Sequence, residues 1–196
     1  MRKCFIAFTS LLFLFLIASR GYCSDPMQQL RVTVDKVIEI LKRPDLKSPD
    51  KEELKRKLLG EVISERFDFQ EMARRALARH WRKRTDQERK EFVRLFRKLL
   101  ERTYLRRIEQ YSDERIIYKE ERIDPPYAIV KTVVITRDSV EIPIDYRLMQ
   151  RSNDWKVYDV IIEGVSLVNN YRKQFDRIIR SSSYKSLVDR LRKKVE

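Results

Sequence analysis

The spacing of apolar residues divides the chain into a helical first part, a central group of strands and a helical end. Up to about residue 111 they recur three and four positions apart, as in Leu30, Val34, Val37 and Leu41, which predicts amphipathic helices. From about residue 115 to residue 163 the period shortens to two, as expected of strands. Helical spacing returns over residues 165–196. This order predicts an α+β fold rather than alternating βαβ units.

Local signals refine these elements. Thr85 and Glu88 form a capping box, with Thr85 as the N-cap residue, so a long helix is expected to begin there. Residues 127–136 are apolar at both parities, whereas residues 140–148 alternate strictly between apolar and polar. With turns at 125–126, 137–139 and 152–154, the pattern predicts a helical layer packed on a twisted four-stranded antiparallel sheet.

The first residues predict a secretory signal peptide. Arg2 and Lys3 precede an apolar stretch, residues 4–18, that is short for a membrane span of about 20 residues. Gly21 and Cys23 place small residues at positions −3 and −1 of a cut before Ser24. We therefore predict a signal peptide over residues 1–23 and one exported domain over residues 24–196.

Composition narrows the class of partner. The chain carries 44 Lys and Arg against 30 Asp and Glu, a net charge of +14. The predicted signal peptide holds three of these basic residues and both cysteines, which leaves the exported domain with +11 and no cysteine. Such a domain has no disulfide and no thiolate metal site. Its charge suits an anionic partner, and export argues against nucleic acid as that partner.

Few residues suit catalysis. The sequence has no GxGxxG or P-loop motif, and its single histidine, His80, lies among cationic neighbours. We predict no enzyme, no cofactor and no metal site. Asp145, Asp159 and Glu163 lie on or beside strands, where a pair of carboxyl groups is able to hydrolyse a glycosidic bond. A carboxylate-dependent hydrolase therefore stays open as an alternative.

Basic residues are spread over every predicted helix and are mostly interleaved with Glu at helical spacing. This pattern is typical of a solvated surface with many ion pairs. The densest basic run is predicted to dock an anionic partner and consists of Arg74, Arg75, Arg79, Arg82, Lys83 and Arg84.

Two blocks of sequence carry a resemblance to a known family. The first contains FDF at residues 67–69, LARHWR at 77–82, TDQER at 85–89 and FVRLF at 92–96. The second, more specific block is WKVYDV at 155–160 followed by IEGVSLVNNYR at 162–172. Together they resemble the MlaC-type auxiliary proteins, the periplasmic phospholipid carriers of the Mla lipid-asymmetry transport system, also called toluene-tolerance or ABC-transport auxiliary proteins. Ala78 stands where the family often has Gly.

The resemblance implies a periplasmic phospholipid-carrier domain with a deep apolar pocket between the helical layer and the sheet. Acyl chains enter the pocket and the headgroup stays in water. The resemblance also implies shuttling between an outer-membrane lipoprotein–porin complex and an inner-membrane ABC transporter with a ring-forming lipid-binding subunit. This shuttling would maintain the lipid asymmetry of the outer membrane. Another apolar cargo, such as a hopanoid, stays open as an alternative.

We expect the pocket to be lined by apolar side chains of the long helix, the strands and the first closing helix. Periodicity does not separate a lined pocket from a filled core, and Val130 and Val133 have opposite parity on one strand, so only one of them is expected to face the pocket. The predicted lining residues are Phe92, Phe96, Leu99, Tyr104, Val130, Val133, Ile135, Ile142, Ile144, Tyr146, Ile161, Val165, Val168, Tyr171 and Phe175.

Overall fold

The computed structural model describes residues 25–110 and 114–195. Within them the α-helices are α1 (Pro26–Lys42), α2 (Glu52–Arg66), α3 (Phe69–Leu77), α4 (Asp86–Glu109), α5 (Leu167–Ser181) and α6 (Tyr184–Val195). Short 3₁₀ helices cover Pro44–Leu46, Pro49–Lys51 and Ala78–Lys83. The predicted signal peptide and its cut before Ser24 lie outside the described residues.

Side-chain N-caps hold the first turns of several helices, among them α4 and α5. The Thr85 hydroxyl accepts a hydrogen bond from the backbone N–H of Glu88 at 3.2 Å, and the Glu88 carboxylate accepts one from the backbone N–H of Thr85 at 2.8 Å. This is the predicted capping box, so the predicted start of α4 is confirmed. Ser166 caps α5 in the simpler way, by accepting from the N–H of Asn169 at 3.0 Å.

The strands form one antiparallel sheet in the order in which they occur along the chain. They are β1 (Arg115–Asp124), β2 (Tyr127–Ile135), β3 (Glu141–Arg151), β4 (Asp154–Ile162) and β5 (Val165–Ser166). The predicted α+β fold is confirmed. The described sheet has one strand more than the predicted four, because Val165 and Ser166 turn back and pair with Ile162 and Ile161 before α5 begins.

Antiparallel pairing sorts the side chains onto two faces of the sheet. Val130 pairs with Tyr146 and Val134 pairs with Ile142, so these four side chains share one face. We call it the inner face, because α1 packs on it. Val133 has the opposite parity and lies on the outer face. The expectation that Val130 and Val133 point in opposite directions is confirmed.

Two separate apolar cores stabilise the fold. The helical core joins α3, α4, α5 and α6, and its buried members include Met72, Leu77, Phe92, Leu95, Phe96, Leu99, Phe175, Leu187 and Leu191. The sheet core joins α1 to the inner face, and its buried members are Leu30, Ala128, Val130, Leu148, Trp155, Val157 and Val160. Phe67 packs against both cores. Phe67 thus joins the two cores, although their fully buried residues form separate clusters.

Candidate functional site

On β2, β3 and β4, the apolar side chains of the inner face are more deeply buried at one end of the sheet than at the other. At one end lies the closed half, whose residues are at most 3 % exposed: Ala128, Val130, Leu148, Trp155 and Val157. At the other end lies the open half, whose apolar residues are half-buried: Ile116, Tyr118, Val134, Ile142, Ile144, Tyr146 and Ile162. Thr132 lies among them on the same face and is only 2 % exposed. The open half is an apolar surface that the protein's own side chains cover incompletely.

Helix α1 runs along the sheet from the closed half towards the open half. At its first turn the Met27 N–H donates to Oε1 of Glu121 at 2.6 Å. One turn later, the Arg31 guanidinium lies 4.2 Å above the centre of the Tyr118 ring. Glu121 pairs with Val130 of the closed half, whereas Tyr118 belongs to the open half. The direction of α1 relative to β1 is fixed by these two contacts.

The apolar stripe of α1 continues past the residues that pack in the sheet core. Leu30 is buried in that core, whereas Val34, which packs against it, and Val37, Ile38 and Leu41 are half-buried. These residues lie at successive helical positions three and four apart, so they extend the same face of the helix. The later turns of α1 and the open half of the sheet therefore both present apolar surface that is only partly buried.

Two tyrosines of the open half are partly withdrawn from solvent. Burial raises the pKa of Tyr146 to about 12, although its side chain retains accessible surface. Burial, and then the neighbouring Tyr146, raises the pKa of Tyr118 above its ordinary value. The Tyr118 hydroxyl is buried and has no hydrogen-bond partner among the described residues. Such an unpaired buried group costs about 1–3 kcal/mol, so the Tyr118 hydroxyl lowers the stability of the folded protein.

Two carboxyl groups meet at the start of α1. The Met27 N–H donates to Oδ1 of Asp25 at 2.9 Å as well as to Glu121. Burial, and then the hydrogen-bonded carboxyl of Asp25, raises the pKa of Glu121 to about 7. Because Glu121 pairs with Val130 and follows Tyr118 by three positions on β1, this group is at the border between the two halves.

The predicted lining residues on the helices lie in the helical core. Those buried in it are Phe92, Phe96, Leu99, Val168, Tyr171 and Phe175, and Tyr104 packs against them. Phe92 and Phe96 each meet the Phe175 ring edge-on at a centroid distance of 5.6 Å. These aromatic rings fill the space between α4 and α5 by contacting one another.

The predicted lining residues on the strands divide between the two faces. Those on the inner face are Val130, Ile142, Ile144 and Tyr146. Those on the outer face, all half-buried, are Val133, Ile135 and Ile161. Val165 lies in β5 and is 55 % exposed. The structure therefore brings part of the predicted set to the sheet core and the open half, and places the rest elsewhere.

The open half also contains residues outside the predicted set, namely Ile116, Tyr118, Val134 and Ile162. The signal that identifies them is strand register. The turn after β2 is closed by the Thr136 N–H donating to the Val140 carbonyl at 3.0 Å, which sets Val134 opposite Ile142. A tight turn fixes register and therefore face, so the turn at 137–139 carried this information in the sequence.

A cleft of about 850 Å³ opens where α3 begins beside the ends of β2 and β3. Its walls include aromatic rings, among them Phe67 and Phe69, and charged groups that are paired, as Arg74 is with Glu71 at 2.6 Å. The residues predicted to contact lipid do not line this cleft. The cleft combines apolar and charged walls and is distinct from the open half.

The structure divides the predicted basic run into paired and unpaired members. Arg74 and Arg75 both bind Glu71, at 2.6 and 2.7 Å, and Arg84 binds Glu88 at 3.0 Å. Burial alone would raise the pKa of Glu71, but the hydrogen bonds from the two arginines outweigh it and hold the pKa below its ordinary value. Much of the charge of these three arginines is therefore neutralised within the molecule.

The second part of the run lies on the 3₁₀ helix. Arg79 and His80 both donate to Oδ1 of Asp176 on α5, at 2.7 and 2.8 Å. The hydrogen bonds from His80 and then Arg79 lower the pKa of Asp176. Arg82 and Lys83 are exposed and have no acidic partner within the ranges 25–110 and 114–195. His80 therefore joins two helices rather than orienting a nucleophile.

The carboxylates considered for hydrolysis have different surroundings. Asp159 is 3 % exposed and accepts hydrogen bonds from the Ser166 hydroxyl at 2.7 Å and the Val168 N–H at 3.0 Å. It thereby attaches the start of α5 to β4. Asp145 is half-buried, and Glu163 is exposed in the turn before β5. Across the described residues, no group of three or more His, Cys, Asp or Glu is arranged to hold a metal ion.

Each helix in the described part of the chain is too short or too polar to cross a bilayer.

Comparison with known proteins agrees with this architecture. A family model described as MlaC protein matches residues 31–193. The chain is also similar to a phospholipid-binding protein from Ralstonia solanacearum, whose structure was solved in complex with a phospholipid. The two share 28 % sequence identity and a TM-score of 0.78, over 87 % of this chain and 96 % of that one. No curated protein gives a significant match. The family match covers most of the sequence, and the chain therefore belongs to the MlaC family.

Proposed function

We propose that this protein is a periplasmic phospholipid carrier. The observation that carries the proposal is the family match over residues 31–193, together with the similar structure that was solved with a phospholipid bound. Both point to lipid binding and transport rather than to catalysis. The signal peptide expected at residues 1–23 supports a periplasmic location.

The acyl chains are proposed to lie against the open half of the inner face. Of the predicted lining residues, Ile142, Ile144 and Tyr146 belong to it, with Val130 at its border and exposed Val165 at its rim. Incomplete burial of so many neighbouring apolar side chains supports this assignment, because a folded domain ordinarily buries such a surface or uses it for binding. The aromatic residues of the helical core are proposed to stabilise the helices around the site and not to contact the acyl chains.

Burial of acyl chains explains why such a carrier would work by docking. Each buried methylene is worth about 0.8 kcal/mol, so two chains of about 15 methylenes gain roughly 24 kcal/mol of gross transfer free energy. Chain ordering reduces the net value, yet escape into water remains very slow. Release therefore requires an acceptor that offers apolar surface before the lipid leaves.

The proposed acceptors and donors are the two membrane complexes of an Mla-type system. One is an outer-membrane lipoprotein–porin complex, and the other is an inner-membrane ABC transporter with a ring-forming lipid-binding subunit. Shuttling between them would maintain the lipid asymmetry of the outer membrane. Within the predicted basic run, exposed Arg82 and Lys83 are the members whose charge stays available to an anionic partner, because the others already bind acidic side chains.

The lipid that copurifies with the protein tests the proposed function directly. The full chain would be expressed with its own leader in a host that has a periplasm, purified without detergent and extracted with organic solvent. Mass spectrometry should identify a diacyl phospholipid in stoichiometric amount. N-terminal sequencing of the same preparation should find Ser24 at the new terminus.

Other results would redirect or end the proposal. A stoichiometric hopanoid or other isoprenoid would replace phospholipid as the cargo. A protein that is purified empty, and that takes up no phospholipid from vesicles after delipidation and refolding, would contradict the carrier function.

A further inference from the structure

Asp176 is a point at which cationic groups from two separate parts of the chain meet. Its Oδ1 accepts from Arg79 at 2.7 Å and from His80 at 2.8 Å, and its Oδ2 lies 3.9 Å from a guanidinium nitrogen of Arg180. The Arg79 and Arg180 side chains remain 64 % and 70 % exposed. One carboxylate is therefore surrounded by cations that still face water.

The geometry of the two helices brings further cations to the same side. A 3₁₀ helix has three residues per turn, so Arg82 and Lys83 lie directly above Arg79 and His80. On α5, Arg172 and Lys173 precede Asp176 by four and three positions, which places them on its side of the helix. Arg172 donates to the uncharged amide oxygen of Asn169 at 2.7 Å, so its charge is not neutralised there.

These residues define a cationic face. It is formed by the 3₁₀ helix and one side of α5 and consists of Arg79, His80, Arg82, Lys83, Arg172, Lys173, Asp176 and Arg180. Asp176 is the one carboxylate that either segment contributes. The sequence separates the two segments by more than 80 residues, so the face is visible only in the fold.

The chemistry of the cationic face indicates which kind of partner binds it. Neither segment presents any of the exposed large apolar side chains of the described chain, which are Val32, Leu54, Ile123, Tyr127, Val140 and Val165. Protein interfaces depend on buried aromatic or apolar anchors. A bilayer with anionic headgroups needs no such anchor, because it presents a diffuse negative surface that attracts clustered Lys and Arg.

We propose that the cationic face binds the surface of bilayers that contain anionic phospholipid. This binding goes beyond the proposed cargo site, since it concerns the outside of the protein and not the open half. Contact would be reversible, because it adds no apolar insertion, and it would hold the carrier at a membrane where its docking partners reside. Each cation near such a surface strengthens binding by about fivefold.

Vesicle co-sedimentation tests the proposal with the full chain. The wild type should bind phosphatidylcholine vesicles that contain phosphatidylglycerol and should not bind phosphatidylcholine alone. Raising the ionic strength from about 0.1 to 1 M shortens the Debye length from about 10 to 3 Å and should release the protein. The triple variant Arg82→Gln, Lys83→Gln, Lys173→Gln should bind about 100-fold more weakly.

A matched variant shows whether binding depends on the cationic face or only on the total charge of the protein. Lys47→Gln, Lys57→Gln, Lys119→Gln removes the same number of charges from exposed lysines outside the cationic face and should weaken binding by less than about threefold. Equal weakening by both triples would overturn the proposal. So would failure of the wild type to bind the anionic vesicles, which would leave an acidic protein surface as the occupant.

The same preparations distinguish this inference from the proposed function. Their extracted phospholipid would be measured by mass spectrometry, and both triples should retain the wild-type amount. Loss of vesicle binding with cargo unchanged supports a separate membrane-binding face. Loss of cargo in the cationic-face triple would show instead that these cations act on the lipid site, and would overturn the inference.

Discussion

The closed and open halves of the inner face have the same kind of sequence and different surroundings. Leu148 and Ile142 lie on one strand, on one face, with apolar residues at alternate positions between them. Leu148 is fully buried by the sheet core, whereas Ile142 is half-buried. Alternation therefore specifies which side chains point inward, and the elements packed on the face, α1 among them, decide which of them are covered. The uncovered part is the proposed site for the acyl chains.

The largest predicted effect is the loss of stability when an apolar side chain is shortened, which should be greater in the closed half than in the open half. Leu148→Ala should lower the free energy of unfolding by about 3 kcal/mol, because it leaves a cavity in a packed core. Ile142→Ala should lower it by about 1 kcal/mol, since much of that side chain is already in contact with solvent. Chemical denaturation of delipidated protein measures both. Equal losses would show that the two halves are packed alike.

A smaller effect concerns pH at the border between the halves. Glu121 has a pKa of about 7 in the folded protein against an ordinary 4.5, so the folded state retains a proton that the unfolded state loses. Stability should therefore fall as the pH rises from about 4.5 through 7, by on the order of 1–3 kcal/mol. Glu121→Gln should remove most of this fall. Parallel pH profiles for variant and wild type in denaturant titrations would contradict the assignment.

The smallest predicted effect is an increase in the stability of the folded protein. Tyr118→Phe removes the buried hydroxyl that lacks a partner in the described structure, and should raise stability by up to about 1 kcal/mol. Tyr184→Phe is the matched control, because the Tyr184 hydroxyl donates to the Glu88 carbonyl at 3.2 Å. That variant should lose about 1 kcal/mol. Thermal unfolding of delipidated protein distinguishes the two signs, and destabilisation by Tyr118→Phe would show that its hydroxyl is satisfied.

The sequence predicted elements better than it predicted their packing. The capping box at Thr85 and Glu88 and the order of helices and strands are confirmed, because such signals are local. The two-residue strand β5 was missed, since it carries no periodicity. Phe92 and Phe96 were correctly expected to face inward. Periodicity did not show that they pack against α5 rather than beneath the sheet. A stripe of apolar residues does not indicate which element will pack against it.

The ion pairs of the basic run were also only partly predictable from the sequence. Glu71 pairs with Arg74 and Arg75 at positions three and four residues apart, which sequence spacing already allowed. Asp176 pairs with Arg79 across 97 positions, which no local rule reveals. The departure at Ala78 has a local explanation, because its φ of 48° lies in the left-handed region that favours glycine.

Phospholipid content of two neighbouring variants tests the central claim most directly. Val134 and Val133 are adjacent and half-buried, but Val134 lies in the open half and Val133 on the outer face. A carboxylate is costly where it meets an acyl chain. With folding verified by circular dichroism, Val134→Glu should purify with about a tenth of the wild-type phospholipid, and Val133→Glu with nearly all of it. Equal loss in both, or greater loss in Val133→Glu, would contradict the assignment of the acyl chains to the open half.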